Sequence, residues 1–208
     1  MTSDNQRYLL RLDLAATWFF GLEGGLVAVD ANLDLFGVLV ISFVAALGGG
    51  LIRDLLIGST PPATIQDYRY PFAAFAGGIV ALLLNQVLRT VPMPLMVTLD
   101  AIGLGLFAVA GASKSLDFKI HALPAVLMGT LTAVGGGTVR DLLMARVPAV
   151  LRVEIYAVAA LIGAMVLVIG ERFGLPRGRL MLAGAFTCFL IRIVSAWQHL
   201  NLPRIHAY

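Results

Sequence analysis

Two stretches decide how this chain reads: Ala46–Gly58, ALGGGLIRDLLIG, and Ala133–Ala145, AVGGGTVRDLLMA. Each places three consecutive glycines and then an arginine–aspartate dipeptide inside a run of Leu, Ile, Val and Ala. Glycine is the residue that costs a helix interior most after proline, and an arginine or aspartate at the centre of a membrane-inserted helix costs about 2.5–3.5 kcal/mol. A chain that does this twice has a use for both features.

Outward from these stretches, residues 12–62 overlay 99–149 at a constant offset of 87 with no gap. The match pairs Asp13 with Asp100, Phe20 with Phe107, Gly24 with Gly111, Asp30 with Asp117, Arg53 with Arg140, Asp54 with Asp141 and Pro61 with Pro148. Chance overlap of two apolar helices would match Leu and Ala instead of this set. The composition is 59% hydrophobic and 13% charged, with a mean hydropathy of +0.90, against roughly 25% charged residues in a soluble domain. Seven apolar segments, at about 12–29, 35–57, 71–88, 95–116, 121–144, 153–170 and 179–197, are each long enough to cross a hydrocarbon core of about 30 Å at 1.5 Å per residue. The offset spans three of them, and an odd number of crossings turns the second copy upside down. The expected fold is therefore all-α and polytopic: seven transmembrane helices in one domain over residues 1–208, with repeat one at about 12–90, repeat two at about 95–172 and the seventh helix at about 179–197.

Inverted repeats place a substrate or ion site near the midplane at their interface, often on interrupted helices. The glycine triplets Gly48, Gly49, Gly50 and Gly135, Gly136, Gly137 sit just past the middle of the second and fifth spans. They predict kinks there whose freed carbonyls line an ion path, since a bend in hydrocarbon must face protein or water. On this reading a bulky residue at Gly49 or Gly136 should damage conduction and spare assembly. The pairs Gly24–Gly25 and Gly77–Gly78 read as close helix packing. Because neighbours at i and i+1 point to different sides of a helix, Arg53 and Asp54, or Arg140 and Asp141, are expected to find partners across the repeats: Arg53 with Asp141 or Asp100, Arg140 with Asp54 or Asp13. Asp13 and Asp100, near the start of their spans, are candidates either for favourable dipole placement or for cavity lining. Lys114, where copy one has Val27, is a candidate gating charge.

This arrangement of seven spans, a 3+3 inverted repeat and Gly-Gly-Gly-x-x-Arg-Asp in spans two and five resembles the prokaryotic branch of the trimeric intracellular cation (TRIC) channels, some of whose relatives are labelled bacterial glycine transporter domain proteins. The resemblance implies a homotrimer in the prokaryotic inner membrane. Each protomer would have its own pore, lined largely by spans one, two, four and five, for a monovalent cation such as potassium or sodium. It also implies no cofactor, no nucleic-acid partner and contact with membrane lipid. The lysine-bearing first-span motif of animal members is not evident in FFGLEGGLVAV, residues 19–29. The alternative is a secondary transporter of a small zwitterion such as glycine, since broken helices serve carriers as well.

An enzyme is not expected. GGGTVRDLLMARVP also resembles the phosphate-binding signature of tRNA nucleotidyltransferases, but the metal-binding Asp-x-Asp that follows it in that family does not occur in this chain. His121, His199 and His206 have no metal-ligand spacing with one another or with the single cysteine, Cys188. The net charge of +3 is carried by scattered cations at segment ends, which suits lipid headgroups better than nucleic acid.

Overall fold

The computed structural model of the protein describes residues 3–88, 91–152 and 155–198; His199 and His206 lie outside them. Among the described residues all regular structure is helical: α1 Ser3–Asp30, α2 Leu35–Leu56, α3 Ala63–Gln66, α4 Arg69–Val87, α5 Met93–Asp117, α6 Ala122–Leu143, α7 Ala149–Arg152, α8 Ile155–Arg172 and α9 Arg177–Trp197. The seven long ones are long and apolar enough to cross a membrane. Their bounds follow the expected spans closely, except that α1 begins well before residue 12. Asp13 therefore lies about three turns into α1, and Asp100 about two turns into α5, too far from either helix start for a first-turn dipole role.

Repeat one packs α1, α2 and α4 against one another, and repeat two packs α5, α6 and α8 in the same way. The two triplets of helices meet where α1 runs against α5 and α2 against α6, while α9 covers α5 and α8. The inverted repeat extends into the loops. Asn32 and Lys119, 87 apart, both end their helices at positive φ (58° and 60°), and so do Gly58 and Ala145 (77° and 53°). The short α3 and α7, which apolar run lengths alone do not announce, occupy matching places after α2 and α6.

Small residues set the helix spacings. A Cβ added to Gly77 would lie 2.5 Å from the Leu22 nitrogen, and one added to Gly24 2.7 Å from Ala45 Cβ, so both glycine pairs do serve close packing. In a bilayer, where lipid tails are as apolar as leucine, such backbone contact is what holds helices together.

Candidate functional site

The glycine triplets lie face to face where α2 crosses α6. Both α2 and α6 stay helical through their triplets. The three glycines divide the work. A Cβ on Gly49 would fall on the Thr132 carbonyl oxygen, one on Gly136 on the Ala45 carbonyl oxygen, and one on Gly135 would come within 3.1 Å of Gly49 Cα. The middle positions thus let two backbones touch on the pseudo-two-fold axis. The third glycine of each triplet does something else. Helical side chains lean toward the N-terminus, so Arg53 lies back over Gly50 and Arg140 over Gly137, each with a guanidinium nitrogen 3.7 Å from where a Cβ would stand. A bulky residue at Gly49 or Gly136 would strike the opposing backbone and so threaten the fold before the conduction path, which revises the expected outcome for those positions.

Both arginines are buried, and each one bonds the aspartate next to it. Arg53 Nε donates to Asp54 Oδ1 at 2.8 Å, and Arg140 Nε donates to Asp141 Oδ1 at 2.9 Å. The expectation that neighbours cannot pair is overturned because an arginine side chain is long enough to fold sideways across the roughly 100° between successive helical positions. The other oxygen of each aspartate accepts a backbone N–H from the following short helix, Ala63 on Asp54 and Ala149 on Asp141, both at 3.0 Å. Each Arg-Asp unit therefore ties the end of its long helix to the loop beyond.

Around these units the chain builds two polar vestibules at opposite ends of the α1–α5 contact. Vestibule one is a cavity of about 230 Å³ lined in part by Gln6, Asp13, Tyr70 and Lys114. Tyr70 Oη donates to Asp13 Oδ2 at 2.7 Å. The Lys114 ammonium donates to both oxygens of Asp54 at 2.8 Å. Arg53 approaches Asp13 at 3.5 Å. Vestibule two, about 120 Å³, is lined in part by Glu23, Asp100, Arg140, Tyr156 and Arg192. Tyr156 Oη donates to Asp100 Oδ1 at 2.7 Å, Arg192 Nε donates to Asp100 Oδ2 at 3.1 Å and sits over the Tyr156 ring, and Arg140 pairs with Glu23.

The structure thus brings Arg53, Asp54, Asp13 and Lys114 together at one end and Arg140, Asp141 and Asp100 at the other. Pairing across the repeats exists, through Lys114–Asp54 and Glu23–Arg140, but not between the residues expected. Arg53 meets Asp13 of its own repeat in place of Asp141 or Asp100, and Arg140 meets Glu23 in place of Asp54 or Asp13. Glu23, Tyr70, Tyr156 and Arg192 were not singled out from the sequence. Glu23 could have been, since an acid alone in an apolar span is costly and marks a functional position. The tyrosines carry no such signal. Arg192 reaches the site from α9, which stands outside the repeat.

The inverted-repeat bundle thus carries a polar vestibule at each end of the repeat interface, and comparison with known proteins places it among its relatives. A family profile described as Glycine transporter matches the chain twice, at residues 10–86 and 97–172. The chain is 36% identical over 193 residues to the UPF0126 inner membrane protein YadS of Escherichia coli K12, covering 92% of this chain and 93% of that one. It is 48% identical over 196 residues to a UPF0126 membrane protein of Streptomyces coelicolor, covering 94% and 89%. Among solved structures, the TRIC trimeric intracellular cation channel orthologue from Rhodobacter sphaeroides is 35% identical with a TM-score of 0.86, covering 92% of this chain and 98% of that one. A second structure, described as the structural basis for conductance through TRIC cation channels, is 34% identical at the same TM-score and covers 100% and 99%. The chain belongs to the prokaryotic TRIC channel family and is an integral membrane protein.

Proposed function

We propose that this protein is a passive channel for monovalent cations of the potassium class, with a conduction path inside each protomer of a homotrimer. Likeness over the full chain to structures of cation channels supports the channel class. The observation that carries the path is the pair of vestibules opening from opposite ends at the repeat interface, each with a buried carboxylate held by a tyrosine hydroxyl. A cation shedding water there finds acceptor oxygens already positioned by hydrogen bonds, so little reorganisation is needed as it enters. Lys114 acts as the gating charge: its ammonium neutralises Asp54, and moving it would expose a carboxylate to the path. Bending of α2 and α6 at their glycine triplets is the motion that would widen the path, because those two helices touch there and little side-chain bulk resists the change.

Recordings from purified protein in a planar bilayer under a potassium chloride gradient test this. Discrete steps reversing near the potassium potential support the channel. The family profile's description favours one other reading, a carrier for a small zwitterion such as glycine. Absence of steps together with saturable glycine uptake into liposomes would establish that carrier in place of the channel.

A further inference from the structure

Phe20 and Phe107 fall in register in the two copies, and neither the charge frame nor the glycine crossing uses them. Their rings stack with centroids 5.4 Å apart and planes 14° from parallel, and they are 1% and 2% exposed. Phe20 stands on α1 between Asp13 of vestibule one and Glu23 of vestibule two. Phe107 stands on α5 between Asp100 of vestibule two and Lys114 of vestibule one. Along α1 the two vestibules are ten residues apart, about 15 Å of helix. The stack belongs to one apolar cluster that also holds the matched residues Leu47 and Val134 and includes Tyr70 toward one vestibule and Tyr156 toward the other. Thr17, the polar neighbour one turn before Phe20, gives its hydroxyl to the Asp13 carbonyl at 2.8 Å and is itself buried. Phe20 rests on Gly103, where an added Cβ would lie 3.0 Å from two ring carbons.

We propose that the Phe20–Phe107 stack is the hydrophobic barrier of the conduction path, and that a cation passes only when the two rings part and water joins the vestibules. The proposal rests on the channel reading above. An apolar constriction narrower than a hydrated cation excludes water, and a bare cation finds no oxygen to replace its shell. The carboxylates of the vestibules then collect and select cations, while the stack sets how often the path is open. Each repeat contributes one ring, so either ring alone can be moved to weaken the barrier.

The test is the planar-bilayer recording repeated with Phe20→Ala, Phe107→Ala and the double variant, each checked for parent-like gel-filtration elution. Each single variant should raise open probability about tenfold, in keeping with loss of a stacked aromatic pair that exists only in the closed state, and the double variant should raise it further. The reversal potential should stay at the parent value, because the vestibule charges are intact. Phe20→Leu and Phe107→Leu keep most of the apolar volume and decide the matter should the alanine variants not fold: a smaller rise supports the barrier. Folded variants with parent open probability overturn the barrier and leave the channel reading standing. A parent that passes no cation overturns both.

Discussion

In vestibule one Arg53 gives its Nε to Asp54, while its two terminal nitrogens and Asp13 Oδ1 have no hydrogen-bond partner among the described residues. In vestibule two the equivalent Arg140 places both terminal nitrogens on carboxylates, one on Glu23 and one on Asp141 at 2.8 Å. The same backbone frame has been completed in opposite senses. Repeat two lends vestibule one a cation, Lys114, and repeat one lends vestibule two an anion, Glu23, from positions about one helical turn apart under the 87-residue offset. In vestibule one Arg53 and Lys114 touch Asp13 and Asp54, and Asp117 lines the same cavity while pairing with Arg177. Vestibule two sets Arg140 and Arg192 against Glu23, Asp100 and Asp141. An inverted repeat alone would give two identical mouths. The exchange of one lysine for one glutamate, with α9 adding Arg192 on one side only, makes the two mouths unlike.

The largest expected effect separates the two arginines. Arg140→Ala strands Glu23 and leaves Asp141 with only the Ala149 N–H, and should destabilise by about 3–5 kcal/mol, the cost of breaking a buried ion pair by removing one partner. Arg53→Ala should cost less, because Lys114 and the Ala63 N–H still hold Asp54 and the pairing of Arg53 with Asp13 is loose at 3.5 Å. Thermal unfolding of the purified variants in detergent measures both, and Arg140→Ala combined with Glu23→Gln should recover part of the loss. Equal costs for the two arginines would break the asymmetry.

A smaller effect tests the two lent charges. Lys114→Met should cost about 1–2 kcal/mol, since Asp54 keeps two other hydrogen bonds, and should raise open probability several-fold by freeing the path at vestibule one. Glu23→Gln should lower cation conductance several-fold for entry from the vestibule-two side only, because it removes a carboxylate that draws cations there. Recordings at both polarities distinguish the two, and a symmetric loss in Glu23→Gln would remove the directional role.

The smallest effect lies in the matched loops. Ala145 adopts the left-handed backbone that Gly58 adopts in repeat one, so Ala145→Gly should stabilise by about 0.5–1 kcal/mol and Gly58→Ala should destabilise by a similar amount. Opposite shifts in melting temperature are expected, and shifts of the same sign would mean that the loops are not equivalent.

The sequence by itself determined the spans, the repeat and its inversion. Run lengths against the bilayer and an ungapped 87-residue offset are properties of one chain, read without knowing which helices touch. It also located Gly48–Gly50, Gly135–Gly137 and the Arg-Asp pairs as the centre of the molecule, because polar and backbone-exposing residues in hydrocarbon demand partners. The tertiary structure alone decided who those partners are. Small residues at each crossing fix how close the helices come, and a shift of one turn exchanges Glu23 or Lys114 for an apolar neighbour. Periodicity says which face a residue occupies and nothing about what stands opposite, so Tyr70, Tyr156 and Arg192 became visible only once α4, α8 and α9 were packed against the two mouths. The glycine triplets carry the same lesson: three in a row predict a bend, and only the crossing shows another backbone at the middle residue and an arginine at the third.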